Sequence, residues 1–280
     1  MNNQKKIAAI HDISCLGKCS LTVALPLLSS AGFETCPVPT AVLSTHTGGF
    51  TGFTFKDLTD QIMPIANHWK SIDVKFDAIY SGYLGSFEQL DLMEKFINMF
   101  SEKNTLVMID PVMADQGVLY SGFDKKFVTG MANLCRMADI IVPNITEACF
   151  MTDTPYIDGV QTPQYIENLV KKLSSLCEGK IVLTGVSFEE DKIGAATFDG
   201  SSINYIFGKK LNVAYHGTGD VFASTLLAAL LHGFSLEKSA GIAIDFIIEC
   251  ILRTMDTVGK AHYGVNFELC IRTLLDMLEI

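Results

Sequence analysis

Short runs of unbroken apolar residues alternate along this chain with longer segments in which apolar residues recur every three or four positions. Runs of the first kind at 6–10, 38–43, 78–81, 105–109, 140–142 and 180–183 predict strands buried on both faces. The intervening segments 20–28, 55–69, 87–100, 123–137 and 165–177 carry helical spacing. Ser20 stands where an N-cap belongs, Gly32 where the first helix stops, and Pro64 predicts a kink or break in the second. A short helix opens at Thr146, while 11–18 and 44–52 read as polar loops. Past Gly185 the pattern changes. Segments 193–198 and 202–207 flank Asp199-Gly200, a strong hairpin signal, and the remainder is helical at 220–232, 235–254 and 266–279.

Apolar strands alternating with helices imply an α/β fold with a mostly parallel sheet covered by helices on both faces, plus one antiparallel hairpin near 193–207. No linker, repeat or low-complexity tract divides the sequence, so residues 1–280 are expected to form a single domain. Ligands of such sheets lie beyond the carboxyl ends of the strands. Here those ends carry Asp12, Thr47, Tyr83, Asp110, Asn144, Glu147, Thr184 and, after a longer run, Asp220.

Composition narrows the classes. The chain is 49% apolar and 19% charged, which suits a well-cored enzyme rather than a disordered chain. Its net charge of −10 and lack of a basic run disfavour nucleic acid and anionic membrane as partners. No segment reaches the ~18–20 apolar residues of a membrane span, and a soluble, cytoplasmic protein is expected. The eight cysteines include no C-x-x-C pair, and several sit in apolar helical patterns, as free thiols of a reduced compartment do.

The familiar nucleotide signatures are missing. Gly17-Lys18-Cys19-Ser20 lacks the spacing of a P-loop, and Gly217-x-Gly219 lacks the third glycine and the early strand of a dinucleotide fingerprint. No Gly-x-Ser-x-Gly elbow occurs. What remains is a dispersed set of acids, Asp110, Glu147 and Asp220, joined by Asn144. Hard oxygen donors of this kind suit Mg²⁺ held partly by substrate phosphates. Each also has a plainer structural use, in a turn or a helix cap. The stretch His216-Gly217-Thr218-Gly219-Asp220 precedes an apolar helix, whose free N–H groups and dipole make an anion site. Asp220 there serves as a cap or as a base beside a bound anion. His46 reads as orienting the Thr47 loop, and Lys18 as a solvated helix-start residue.

In chain order, Gly82-Tyr83-Leu84-Gly85-Ser86, Asp110-Pro111-Val112-Met113, Pro143-Asn144-x-Thr146-Glu147 and Gly217-Thr218-Gly219-Asp220 resemble the ribokinase-like superfamily. More narrowly they resemble the pyridoxal (pyridoxine/pyridoxamine) kinases, whose Ser-Asn-His-Thr run is similar to Ser44-Thr45-His46-Thr47 here. The resemblance implies a three-layer α/β/α ribokinase-like fold and ATP-dependent phosphorylation of a 5′-hydroxymethyl group in vitamin B6 salvage. It implies Asp220 as general base and the Gly217, Thr218 and Gly219 backbone as anion hole. It further implies Asp12, Ser44, Thr47 and Tyr83 on the vitamin, Asp110, Asn144, Glu147, Thr184 and Gly219 on ATP, and Asp110 with Glu147 on Mg²⁺. K⁺ or Na⁺ assistance and a homodimer are expected on the same ground. Two departures stand out: His11-Asp12-Ile13 replaces the usual Gln-Ser-His, and Ala114-Asp115-Gln116-Gly117 replaces Gly-Asp or Gly-His in the segment expected to be a lid. A hydroxymethylpyrimidine kinase and a catalytically silent vitamin or nucleotide sensor are the competing readings.

Overall fold

The computed structural model describes residues 4–257 and 263–280. A nine-stranded sheet runs through it. Its strands are β1 (Lys6–Leu16), β2 (Glu34–Thr45), β3 (Phe55–Asp57), β4 (Ala78–Ser81), β5 (Leu106–Ile109), β8 (Ile140–Ile141), β9 (Lys180–Val186), β10 (Lys192–Phe198) and β11 (Ile203–Lys209). The short pair β6 (Ala114–Asp115) and β7 (Val118–Leu119) forms a separate hairpin. The spatial order β11-β10-β9-β8-β5-β4-β1-β2-β3 is parallel from β9 to β2, with antiparallel strands at both edges.

Helices cover both faces because the central strands bury side chains on both. One core packs α2 (Thr59–Ser71), α3 (Phe87–Phe100), α4 (Lys125–Cys135), α5 (Ile145–Thr152) and α6 (Pro163–Ser174) against residues such as Ile79, Val107 and Ile109. The opposite core joins α1 (Leu21–Ser30), α7 (Thr218–Leu231), α8 (Leu236–Asp256) and α9 (Ile271–Met277) to Ile7, Tyr80 and Met108. This is the expected three-layer α/β/α arrangement. The hairpin at Asp199-Gly200 is present as β10–β11, and all eight cysteines are free. Among the described residues, no helix is long and apolar enough to cross a membrane.

The boundaries differ where polar residues lie inside strands. β1 continues past Ile10 through His11, Asp12 and Ser14 to Leu16, and β2 includes Ser44 and Thr45, so neither segment is wholly loop. Parallel pairing explains both: after a register shift between His11 and Ile13, Ser14 faces Leu43 and Leu16 faces Thr45. Segment 55–57 is an edge strand rather than the start of a helix, and α2 runs through Pro64 without ending there. The last helix is a 3₁₀ turn, Phe267–Cys270, followed by α9.

Candidate active site

A cavity of about 520 Å³ opens at the carboxyl edge of the sheet. It brings together Asp110, Asn144, Glu147, Thr184, Gly217, Thr218, Gly219 and Asp220, residues drawn from the carboxyl ends of three strands and the starts of two helices. Asp12, Ser44, Thr47 and Tyr83 do not line it; they belong to the neighbouring ends of β1, β2 and β4. The two groups meet at Asp220, which feels the charge of Asp12, as does the Tyr83 hydroxyl.

The helix α7 begins at Thr218, two residues earlier than its apolar pattern suggests. Gly217 is the N-cap, with φ 76° in the left-handed region, and no side chain caps the helix. Asp220 therefore sits in the first helical turn and is not the cap, which removes the plainer reading of that residue. A Cβ at Gly217 would overlap the Lys18 carbonyl, so only glycine allows this turn to approach the β1–α1 loop. At Gly219 a Cβ would meet nothing within 4 Å. Free backbone donors and the helix dipole thus face the cavity.

Burial raises the Asp220 carboxyl to about 7, and the charge of Asp12 adds to that rise. Its side chain nonetheless keeps partial access to solvent. A carboxyl poised near neutrality suits a general base. Asp110 is held well above the carboxylate range by burial and by Asp220, and Glu147 by burial and by Asp110. These are close, buried acids, and among the described residues neither is ion-paired with a basic side chain.

Asn144 and Glu147 form a capping box at the start of α5. The Glu147 N–H donates to Asn144 Oδ1 at 2.9 Å, and the Asn144 N–H donates to Glu147 Oε2 at 2.8 Å. Glu147 Oε1 also accepts from the Met113 N–H at 3.2 Å, and Asn144 Nδ2 donates to the Ala114 carbonyl at 2.9 Å. The cap reading is therefore correct and compatible with the cavity position: the cap fixes both side chains at the cavity wall. Thr184 bridges to Asn144 along the sheet, and its hydroxyl donates to the Pro143 carbonyl at 3.4 Å. The 114–119 hairpin is tied to α5 by the Gly117 N–H donating to Thr146 Oγ1 at 3.0 Å.

On the other side, Asp12 is almost wholly buried, and the Ser14 hydroxyl donates to its Oδ2 at 3.1 Å. Burial raises its pKa. Tyr83 packs against Phe123, with ring centroids 5.7 Å apart. The Ser44 hydroxyl accepts from the Thr54 N–H at 2.9 Å, closing the loop that carries exposed Thr47. His46 is buried in that loop, 4.6 Å from the His216 ring and 4.9 Å from Phe50 by centroid. Packing, not proton transfer, is what its surroundings provide.

Lys18 is not a solvated residue. Its Nζ donates to Asn266 Oδ1 and pairs with Glu268 Oε2, both at 2.7 Å, bracing the β1–α1 loop against the C-terminal segment. The sequence pattern also missed several cavity residues. Tyr120 follows the 114–119 hairpin, Lys209 and Lys210 end β11, and Ile244, Ile247, Ile248 and Ile251 form an apolar wall on α8. The isoleucines were visible as a helical stripe, but a stripe does not distinguish core from cavity.

Fold and site together define a small-molecule kinase of the ribokinase-like superfamily. The sequence profile of the phosphomethylpyrimidine kinase family matches residues 27–266, and the chain belongs to that family. A Bacteroides thetaiotaomicron protein, provisionally described as a phosphomethylpyrimidine kinase and crystallised with pyridoxal, is 38% identical. It superposes with a TM-score of 0.91 over 97% of this chain and 96% of its own. Pyridoxal kinase from Lactobacillus plantarum is 28% identical, with a TM-score of 0.91 over 98% of each chain. The Bacillus subtilis hydroxymethylpyrimidine/phosphomethylpyrimidine kinase is 27% identical over 231 residues, 81% of either chain.

Proposed function

We propose that this kinase transfers the γ-phosphoryl group of ATP to the 5′-hydroxymethyl group of pyridoxal, pyridoxamine or pyridoxine. The observation that carries the reading is the position of Asp220, a carboxyl poised near neutrality between the acid-lined cavity and the Asp12–Tyr83 end of the sheet. Its carboxylate takes the proton of the attacking hydroxyl. The N–H groups of Gly217, Thr218 and Gly219 stabilise charge spreading over the transferred group. Asn144 and Thr184 line the phosphate side, while Asp12, Ser44, Thr47 and Tyr83 hold the heterocycle.

Asp110 and Glu147 fit a divalent cation, being adjacent buried acids without an ion-pair partner among the described residues. No cluster of three His, Cys, Asp or Glu side chains exists among the described residues. That donor set matches an ion such as Mg²⁺, which keeps several waters and takes phosphate oxygens as its remaining ligands. When bound there, Mg²⁺ supplies charge neutralisation for the phosphate groups. K⁺ or Na⁺ dependence, a homodimer and a cytoplasmic location complete the proposal.

The choice of vitamin over pyrimidine is supported by the relatives described with pyridoxal. The family profile and the Bacillus subtilis relative favour hydroxymethylpyrimidine as the second reading. An ADP-release assay offering pyridoxal, pyridoxamine, pyridoxine and hydroxymethylpyrimidine separates them. The proposal expects the best B6 vitamer to exceed the pyrimidine in kcat/KM, and a reversed order overturns it. Binding of ATP with no turnover of any of the four would establish the sensor instead.

A further inference from the structure

Two imidazoles from opposite halves of the site meet. His46 follows β2 in the loop that carries Thr47, while His216 directly precedes Gly217 and lines the cavity. Their ring centroids are 4.6 Å apart, with the planes inclined by 45°. The His216 ring also covers Gly48. A Cβ at Gly48 would come within 2.6 Å of its Cε1 and 3.0 Å of its Nδ1, too close for any side chain to remain. Gly48 is not among the residues of positive φ, so its backbone does not itself require glycine. The missing side chain makes room for the imidazole.

His46 is braced from its other side. It is buried, its Cδ2 lies 2.6 Å from where a Cβ at Gly17 would stand, and Phe50 packs edge-on at 4.9 Å. Phe50 stacks on Tyr263 at 5.9 Å, and the Tyr263 carbonyl accepts from the Lys18 N–H at 2.7 Å. The Lys18 carbonyl is the atom against which Gly217 packs. The contacts therefore close a ring: Gly17–Lys18, His46, His216, Gly217 and back to Lys18. Among the described residues no hydrogen bond joins 46–52 to 214–220, so the His216 ring ties these two segments by packing.

Resting on the kinase reading above, we infer that His216 is a positioning residue whose imidazole, seated on Gly48 and His46, holds the Thr47 loop in register with the turn into α7. Transfer requires the attacking hydroxyl and the phosphoryl group to be held about 3–3.5 Å apart. One group is bound from each side of this tie. The ring acts by its shape, and a flat apolar ring can replace it.

Isothermal titration with pyridoxal and, separately, with ADP tests this role. His216→Ala frees the Thr47 loop, so the pyridoxal Kd and the KM for the alcohol rise about fivefold or more. The ADP Kd changes less than about twofold, because Gly217 still packs on Lys18. His216→Phe restores the pyridoxal Kd to within about twofold of wild type. An unchanged pyridoxal Kd in His216→Ala, or His216→Phe as weak as His216→Ala, overturns the inference.

Thermal denaturation of a double-mutant cycle needs no turnover. Gly48→Ala drives the ring from its seat and lowers the melting temperature by about 2 °C or more. In the His216→Ala background the same methyl finds space and costs less than half as much; equal shifts in the two backgrounds overturn the inference. Wild-type protein that binds none of the four alcohols would overturn the proposed function and this role with it. Turnover of a vitamer with the same KM in wild type and His216→Ala would overturn the role of His216 alone.

Discussion

Replacing Gly217 by alanine tests whether the turn into α7 is held by its backbone alone. The perturbation is one methyl group, with two separable consequences. The residue has φ 76°, and an alanine in the left-handed region costs about 1–2 kcal/mol. The new Cβ also overlaps the Lys18 carbonyl. That carbonyl cannot simply retreat, because the Lys18 N–H donates to the Tyr263 carbonyl at 2.7 Å and its side chain is bound to Asn266 and Glu268. Forced overlap in a packed site costs roughly 1–3 kcal/mol. Together these give a loss of about 2–5 kcal/mol, or roughly 5–15 °C in melting temperature for a chain of this size. Gly219→Ala is the internal control. Its methyl meets no atom within 4 Å and its φ is not positive, so stability stays within about 0.5 kcal/mol of wild type. On the proposed mechanism, however, it places a methyl where the phosphoryl group approaches the backbone donors, and kcat/KM should fall at least about tenfold. Denaturant titration and steady-state kinetics on both variants check the pair. A Gly217→Ala protein as stable as wild type, or a Gly219→Ala protein as destabilised as Gly217→Ala, would refute the reasoning.

Asp220→Asn keeps shape and removes the base, so kcat is expected to fall by about 10²–10⁴-fold with ATP affinity little changed. Turnover near the wild-type rate would remove Asp220 from that role. Asp12→Ser raises KM for pyridoxal about five- to tenfold, since a hydroxyl pairs more weakly than a carboxylate with a protonated ring nitrogen; an unchanged KM sinks this assignment. The metal-free protein should gain stability as pH falls from 8 toward 5. Asp220, raised to about 7, takes up a proton in the folded state only, and the raised Asp110 and Glu147 act in the same sense, an effect that continues down to the unfolded carboxylate range at about 4. Below about pH 6.5 the gain slows, because His11, lowered to about 3, and His46, also lowered by burial, let the unfolded chain bind protons that the folded chain cannot. Melting temperatures that drop as pH falls from 8 to 6.5 would count against these environments.

How far the sequence reveals this protein depends on whether a feature is written in one segment or assembled from several. The sheet was legible because its central strands are buried on both faces and read as unbroken apolar runs, and the β10–β11 hairpin because Asp199-Gly200 announces its turn. The cavity residues were legible for a related reason: Gly217 to Asp220 is one contiguous stretch at the start of α7, and Asp110, Asn144 and Thr184 lie at or just beyond the carboxyl ends of apolar strands. Asp12 and Ser44 were legible as candidates, but their place within strands rather than loops was not. β1 carries Asp12 inside the strand, past the point where apolar periodicity ends, because pairing with β2 holds its backbone there and a register shift after His11 re-aims the side chains. Lys209, Lys210 and the α8 isoleucines reach the cavity only through the packing of α8 on β11, a contact no local window contains.

Ser20 shows the limit most sharply. A serine before an apolar helix reads as a cap, and position and residue type are both right, yet the hydroxyl caps nothing, because the backbone adopts a conformation that the residue itself disfavours. Local preference predicts what a residue does when nothing else acts on it. Here the departure falls at a buried position on the wall of the cavity that also holds Gly217 to Asp220, and the surrounding fold, not the local pattern, imposes it.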